Sequence, residues 1–217
     1  MNIEQARFNM IEQQIRTWEV LDAAVLDLLF QVKREDFVPP EHRELAFADL
    51  EIPLGHGESM MHPKIEARIL QELALRPGDA VYEVGTGSGY LTALMARQAR
   101  QVTSAEIHPD LQERAAKSLR DAGIRNATLL RGDSARAPLD ESAYDAIVLT
   151  GSTPVIPQAF LDRLNVGGRF VAVVGDAPVM KAVLVEQAAA GEVRRTELFE
   201  TVVKPLVNAQ APARFRF

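Results

Sequence analysis

The chain has 217 residues, of which 47% are hydrophobic and 25% charged, values that fit one globular domain with an extension. A net charge of −6 argues against a large nucleic-acid interface, and the absence of cysteine excludes disulfides, thiolate metal sites and a cysteine nucleophile. The N-terminus carries charges throughout and no segment is apolar enough to span a membrane, so we expect no secretory signal, no membrane partner and a cytoplasmic location.

Residues 1–62 are predicted to form an N-terminal helical extension that ends in a substrate loop. Apolar residues at helical spacing predict a helix over residues 3–16, and Asp22 suits the N-cap of a second helix that ends at Gln31. The segment from there to Pro53 is predicted to be a loop that contains one turn. The following stretch, LGHGESMMHPKI, is interpreted as a flexible glycine-rich loop over a ligand.

Residues 63–217 are predicted to form one α/β unit, because strands and helices alternate along the segment. The predicted helices cover residues 63–75, 90–99, 108–123 and 156–164, and the predicted parallel strands cover residues 80–84, 101–107, 127–133, 144–152 and 168–175. Two β-rich runs, 180–189 and 193–203, flank a glycine-containing turn and predict a C-terminal antiparallel hairpin. Residues 211–217 are interpreted as a docked or frayed terminus rather than an anion-binding site.

A glycine-rich turn, YEVGTGSGY, follows the first predicted strand, at the sheet edge where open α/β sheets bind ligands. Its G-x-G-x-G spacing is one residue shorter than the dinucleotide fingerprint, and the G-K-[ST] of a P-loop is absent. Glu83 lies two positions before the first glycine, where a carboxylate repels a pyrophosphate but suits a cation. S-adenosylmethionine, with its sulfonium and ammonium groups, fits this pattern; a structural glycine turn or an NAD site is the alternative.

Further polar residues end the next strands in order. Glu106 lies 21 residues after Gly85, where a carboxylate accepts hydrogen bonds from both ribose hydroxyls, and Asp133 is placed to accept from the adenine amino group. Thr150 ends the fourth strand, beside the donor methyl group in this topology. The candidate cofactor residues are Glu83, Gly85, Thr86, Gly87, Ser88, Gly89, Tyr90, Glu106, Ile107, Gly132, Asp133, Ser134 and Thr150, and no metal site is expected. Tyr90 either covers the cofactor or packs under the sheet.

A resemblance to the protein-L-isoaspartate O-methyltransferase family is carried by three segments: PKIEARILQELALRPGDAVYEVGTGSGYLTALMA, then GD, then YDAIVLTGSTPVIPQAFLDRLNVGGRFVAVVG. The resemblance extends from residue 52 to residue 206. It implies a Rossmann-like methyltransferase fold with a mostly parallel seven-stranded sheet, and S-adenosylmethionine as the methyl donor. It also implies methylation of the α-carboxylate of isoaspartyl residues in damaged proteins, which starts their repair to aspartate.

The glycine-rich stretch departs from the family pattern, which is close to G-x-G-x-T-I-S-x-P. Aligned on this chain, Ser59 takes the threonine position and Met61 takes the position of the active-site serine. The resemblance therefore makes Ser59 and Met61 candidate catalytic residues, and His62 is added to them as a candidate base. His56 and His62 flank the methionine pair, and a histidine base would suit a small hydroxylated acceptor instead. A non-catalytic module that binds S-adenosylmethionine is the third alternative.

Overall fold

The computed structural model describes residues 2–212; the C-terminal prediction for residues 211–217 falls mostly on residues outside this range. The helices are α1 (Ile3–Asn9), α2 (Ala23–Gln31), α3 (Pro63–Leu73), α4 (Tyr90–Gln98), α5 (Pro109–Asp121) and α6 (Gln158–Leu161). The strands are β1 (Ile52–Gly55), β2 (Glu58–Met60), β3 (Ala80–Val84), β4 (Gln101–Glu106), β5 (Ala127–Arg131), β6 (Tyr144–Leu149), β7 (Leu164–Asp176), β8 (Val179–Ala189) and β9 (Glu192–Glu200). In this range, each helix is too short or too polar to cross a membrane.

The two predicted N-terminal helices are present. α1 continues through a π-helical turn at Met10–Ile15 and a 3₁₀ turn at Arg16–Trp18, which together cover the predicted helix. α2 begins after Asp22, whose side chain accepts hydrogen bonds from the backbone amides two and three residues further on. This capping satisfies amides that the first helical turn leaves without partners.

The segment before the first α/β helix contains more regular structure than the predicted loop with one turn. Two 3₁₀ turns, Arg34–Asp36 and Pro40–Leu45, interrupt the segment after α2. The glycine-rich stretch is not a flexible loop, because β1 and β2 pair in an antiparallel hairpin. The turn between these strands has positive φ angles at three successive residues, including 56° at His56, and the flanking glycines adopt such angles without strain.

The main sheet has seven strands in the order β5-β4-β3-β6-β7-β8-β9, with parallel pairing from β5 to β7 and antiparallel pairing from β7 to β9. This arrangement confirms the predicted fold class. The chain leaves β3 for β4 on one side and reaches β6 on the other, so a ligand crevice is expected at the carboxyl end of β3. The predicted helix at residues 156–164 is shorter than expected, because α6 starts after Pro157 and Leu164 already belongs to β7.

Two hydrophobic clusters cover the faces of the sheet. The larger cluster joins the N-terminal helices to α3 and α4, through buried residues such as Met10, Leu29 and Ile69. The other cluster lies on the opposite face and includes Tyr82 and Phe170. The division at residue 62 remains a prediction, since the N-terminal helices share a core with the helices that follow.

Candidate active site

The loop after β3 folds tightly against two neighbouring elements. Gly85, Gly87 and Gly89 all have positive φ angles, of 91°, 53° and 83°. A Cβ atom at Gly85 would lie 2.3 Å from the Oγ1 atom of Thr150, and one at Gly89 would lie 3.2 Å from the Cβ atom of Ala115 in α5. The first glycine is therefore required for packing on the end of β6, and the third for packing on α5.

A cleft of about 790 Å³, including its solvent-filled mouth, lies between this loop, the β1–β2 hairpin and the segment after β9. The predicted cofactor residues that line it are Glu83, Gly85, Thr86, Gly87, Ser88, Glu106, Ile107 and Thr150. A smaller cleft adjoins it at Gly85, Glu106 and Ile107, and its lining adds Gly132, Asp133 and Ser134. The structure thus brings together most of the residues that the strand-end pattern indicated.

Glu83 lies fully buried beneath the glycine loop. Its Oε2 atom accepts hydrogen bonds from the hydroxyls of Thr92 and Ser104, at 2.5 and 2.6 Å. Its Oε1 atom has no hydrogen-bond partner among the described residues. Burial raises the pKa of Glu83 to about 8, and the two hydroxyls oppose this shift. A buried carboxyl oxygen without a partner is costly, and a cationic ligand in the cleft would relieve that cost.

Glu106 ends β4 and connects the glycine loop to the start of α5. Its Oε2 atom accepts from the Gly87 amide at 2.8 Å, and its Oε1 atom accepts from the His108 amide at 3.0 Å. Each carboxylate oxygen has two lone pairs, so each keeps an acceptor site after these bonds are made. The side chain lines both clefts and suits a ligand with two adjacent hydroxyl donors.

Asp133 and Ser134 are held differently in the smaller cleft. Asp133 accepts from the Ala135 amide at 3.0 Å and from the Asn208 side-chain amide at 2.8 Å, and it retains further lone pairs. The Ser134 hydroxyl lies 2.9 Å from the Tyr82 hydroxyl and donates to a backbone carbonyl at 2.7 Å. Asp133 is therefore available as an acceptor, while the Ser134 hydroxyl is engaged within the protein.

The β1–β2 hairpin covers the other side of the main cleft. Ser59 lines the cleft, and its hydroxyl donates to Glu51 at 3.0 Å. Met61 also lines it and is 7% exposed, while its carbonyl accepts from the Arg34 guanidinium at 2.7 Å. Arg34 is completely buried and also pairs with Glu66, whose pKa burial raises to about 7 while Arg34 opposes the shift.

The segment at residues 203–207 completes the cleft, and sequence reasoning assigned it no role. The Ser152 amide donates to the Lys204 carbonyl, and the Leu206 amide donates to the Ser152 carbonyl, both at 2.9 Å. The Ser152 hydroxyl adds a bond to the Val203 carbonyl at 2.7 Å. Ser152, which follows β6, thus holds this segment against the cleft. These bonds form an isolated parallel β-bridge between Ser152 and Pro205, a contact between distant positions that no local sequence pattern signals.

Comparison with known proteins agrees with the interpretation of these clefts as a methyltransferase site. The family model described as protein-L-isoaspartate(D-aspartate) O-methyltransferase matches residues 5–211. The chain belongs to this family. It is 40% identical over 169 residues to the protein-L-isoaspartate O-methyltransferase of Methanoculleus marisnigri, covering 78% of this chain and 77% of the relative. It is 35% identical over 210 residues to the enzyme of that name from Koribacter versatilis, covering 96% and 94%.

A solved structure from Plasmodium falciparum supports the fold. It carries the name protein-L-isoaspartate O-methyltransferase and was determined in complex with S-adenosyl-L-homocysteine. Its TM-score is 0.78 at 20% identity, with 95% of this chain and 99% of that chain covered. As a member of the protein-L-isoaspartate(D-aspartate) O-methyltransferase family, the chain is an S-adenosylmethionine-dependent O-methyltransferase. The buried acid with a free oxygen and the strand-end acceptors fit that cationic cofactor.

Three predicted site residues lie outside the linings of both clefts in the described range. Gly89 packs on α5, as above, and Tyr90 is buried with its ring 5.1 Å from the Arg34 guanidinium. The alternative that Tyr90 packs rather than covers the cofactor therefore agrees with its position. His62 is at the N-cap of α3, and its Nδ1 atom lies 3.0 Å from Asp49 on the surface. This position gives no support to His62 as a catalytic residue.

Proposed function

We propose that this enzyme transfers a methyl group from S-adenosylmethionine to the free α-carboxylate of L-isoaspartyl residues in proteins and peptides. The observation that carries the proposal is a single cleft with two different walls. One wall holds the strand-end acids that suit the cofactor, and the other is the hairpin at the family's substrate motif. This juxtaposition supports protein repair as the role of this enzyme.

The proposed cofactor residues divide the work along the cleft. S-adenosylmethionine, when bound, supplies a methyl group activated by a sulfonium. Glu83 offers its free oxygen to the positive end, and Glu106 accepts hydrogen bonds from the ribose hydroxyls. Asp133 accepts from the adenine amino group at the far end. Thr150 has a supporting position, because its hydroxyl lies 2.8 Å from the carbonyls of Val84 and Gly85 and holds the turn closed.

The acceptor end needs to orient a group that is already reactive. A carboxylic acid has a pKa near ~4, so the acceptor is ionised at neutral pH and requires no general base. The chain therefore contributes proximity, orientation and exclusion of water. Ser59 and Met61 lie at this end, and Met61 provides an apolar surface without a hydrogen-bond donor.

A methyl-transfer assay on two matched peptides tests the proposal. One peptide contains an L-isoaspartyl residue and its twin contains aspartate at the same position, with all else unchanged. We expect methylation of the isoaspartyl peptide and background incorporation with the twin. Equal methylation of both peptides would contradict the proposed specificity.

Calorimetry with S-adenosylmethionine supplies the necessary control. Tight cofactor binding without turnover of the isoaspartyl peptide would point to a different methyl acceptor on the same fold. Absence of both cofactor binding and turnover, in protein shown to be folded by circular dichroism, would contradict the cofactor assignment. The two measurements thus separate an error in the acceptor from an error in the cofactor.

A further inference from the structure

The acceptor end of the cleft has few free hydrogen-bond donors. Met61 brings a thioether where the family pattern has a serine hydroxyl. The single hydroxyl proton of Ser59 is directed to Glu51 at 3.0 Å. A carboxylate substrate is acceptor-only, so its recognition requires donors or a positive charge from elsewhere.

Lys204 is the lysine in the lining of this cleft. Its backbone is fixed, because Ser152 bonds to its carbonyl and to the residue two positions later. Its ammonium donates to the Gly57 carbonyl at 2.7 Å and to a carboxylate oxygen of Glu58 at 2.6 Å. An ammonium has three N–H donors, so one remains after these two bonds are made.

Glu58 places a carboxylate against this ammonium in the free enzyme. Both side chains are accessible, with 41% of Lys204 and 24% of Glu58 exposed, so the pair opens and closes at small cost. A second partner for Glu58 is nearby, since the Nε2 atom of His108 lies 3.9 Å from the same carboxylate oxygen. Glu58 is therefore able to leave Lys204 without losing every favourable contact.

His108 is a weaker candidate for binding an anion itself. Its ring stacks on that of His56, with centroids 4.2 Å apart and planes inclined by 10°. Its Nε2 atom is buried and has no hydrogen-bond partner among the described residues, so this ring offers at most one donor, whose presence depends on the tautomer.

We propose that Lys204 binds the free α-carboxylate of the isoaspartyl substrate, and that Glu58 occupies this binding position until the substrate displaces it. This inference rests on the proposed function. Lys204 makes an ion pair with the ionised ground state, and that charge disappears as the ester forms. The interaction therefore contributes to substrate binding and specificity rather than to the chemical step.

The test compares Lys204→Met with Lys181→Met. Lys181 is a matched control, because it pairs with Glu197 at the same 2.6 Å distance on the β8–β9 hairpin, with 38% of its side chain exposed. We expect Lys204→Met to raise KM for the isoaspartyl peptide about tenfold without lowering kcat, because the ion pair is stronger in the ground state than in the transition state. Lys181→Met is expected to leave both constants unchanged. Glu58→Gln is expected to lower KM, because the competing carboxylate is removed.

A ligand pair isolates the carboxylate itself. The isoaspartyl peptide and its α-carboxamide analogue are titrated by calorimetry into the wild type and both lysine variants, each saturated with S-adenosylhomocysteine. We expect Lys204→Met to weaken binding of the carboxylate peptide about tenfold and leave binding of the carboxamide unchanged. Added salt is expected to weaken carboxylate binding to the wild type more than to the variant.

The outcomes separate the two proposals. If the wild type methylates the isoaspartyl peptide and Lys204→Met has the same KM as the wild type, the proposed role of Lys204 is overturned while the proposed function stands. If Lys204→Met weakens binding of the carboxylate and carboxamide peptides equally, or loses cofactor binding, Lys204 has a structural role. Either result also overturns its proposed role in carboxylate binding. Absence of wild-type turnover and of carboxylate-dependent binding, with cofactor binding intact, overturns the proposed function and this inference together.

Discussion

The two walls of the active-site cleft are built in different ways. On the cofactor wall, Glu83 and Glu106 are 0% and 4% exposed and take part in hydrogen bonds among buried strand ends. On the hairpin wall, the tip is held by accessible side chains from distant parts of the chain, such as Lys204 and Arg114. The first wall is preorganised for one constant ligand, whereas the second is attached at its tip by contacts that are individually weak. The hairpin wall is therefore the part in which substrate specificity is able to change without loss of the cofactor site.

The base of the hairpin wall differs from its tip, because it is held by the buried ion pair of Arg34 and Glu66. Removal of this ion pair has the largest expected effect. Arg34→Met removes the partner of the buried Glu66 carboxylate and the donor to the Met61 carbonyl. Loss of Arg34 raises the pKa of Glu66 further, so this carboxyl takes up a proton, and the buried Glu66 and Met61 oxygens lose their donor. We therefore expect the free energy of unfolding to fall by about 2–4 kcal/mol. Urea denaturation monitored by circular dichroism measures this change.

Arg16→Met is the matched control for that experiment. Arg16 pairs with Glu12 on the surface at 2.7 Å, and its side chain is 51% exposed. We expect its replacement to cost less than about 1 kcal/mol. Equal stability of the two variants would show that the ion pair at Arg34 does not anchor the hairpin.

The cofactor wall is tested by Glu106→Ala. This change removes the acceptor for the Gly87 and His108 amides and the proposed acceptor for the ribose hydroxyls. We expect affinity for S-adenosylmethionine to fall on the order of 100-fold, because several charge-assisted hydrogen bonds are lost together. Calorimetry measures the affinity, and Glu113→Ala, on the exposed face of α5, is the control. Unchanged cofactor affinity would exclude Glu106 from the site.

The difference between the cofactor wall and the hairpin wall also explains which features the sequence predicted well. The residues of the cofactor wall come from successive strand ends, and parallel strands bring their carboxyl ends to one edge of the sheet. Local spacing around Glu83, Glu106 and Asp133 was therefore enough to predict that these residues lie near one another at one edge of the sheet, and to predict the order of the elements. The antiparallel end of the sheet was also predictable, because a glycine separates two β-rich runs.

The hairpin wall depends on contacts between residues that are far apart in the chain. Lys204 reaches Gly57 across 147 positions, and no local pattern indicates such a contact. Glycine content alone suggested a flexible loop, yet Gly55 and Gly57 supply the positive φ angles of a hairpin turn. For Tyr90, sequence proximity to the glycine loop was misleading as a sign of cofactor contact, because its ring faces the buried Arg34 instead.

The buried acid of the cofactor wall predicts a pH dependence of cofactor binding. The pKa of Glu83 is about 8 in the free enzyme, so the group is mainly protonated at pH 7. A cationic ligand favours the ionised form, and binding therefore releases a proton. We expect affinity for S-adenosylmethionine to rise by up to about tenfold per pH unit below pH 8. Calorimetry between pH 6 and pH 8, in buffers of different ionisation enthalpy, measures both the affinity and the proton release.

Glu83→Gln is the control that assigns this dependence to one group. Titration of the ligand and of Glu66 is common to both proteins, so only the contribution of Glu83 should disappear in the variant. The same raised pKa has a consequence for stability. The folded enzyme holds a proton that the unfolded chain has lost above pH 4.5, so this stabilisation declines as pH rises toward 8. If the affinity for S-adenosylmethionine has the same pH profile in the wild type and in Glu83→Gln, Glu83 does not titrate on binding.

The smallest expected effect concerns the departure from the family pattern at Met61. Met61→Ser restores a hydroxyl at the family's serine position, and a hydrogen bond to a charged acceptor contributes about 1.5–3 kcal/mol. Because Lys204 already supplies a charge there, we expect the gain in kcat/KM for the isoaspartyl peptide to be no more than about tenfold. Affinity for S-adenosylmethionine should stay the same, since the hairpin wall changes and the cofactor wall does not.

Met60→Ser provides the comparison for that gain. Met60 lines the same cleft and is similarly buried, at 3% exposed against 7% for Met61, so both variants lose a buried thioether. Both are expected to lose stability by about 2–4 kcal/mol, and only the change at Met61 should increase turnover. Equal activity changes at the two positions would show that methionine removal, rather than the restored hydroxyl, alters the cleft. A larger gain in Met61→Ser when Lys204 is also replaced would indicate that the two groups bind the same carboxylate, because residues that share a partner are not additive.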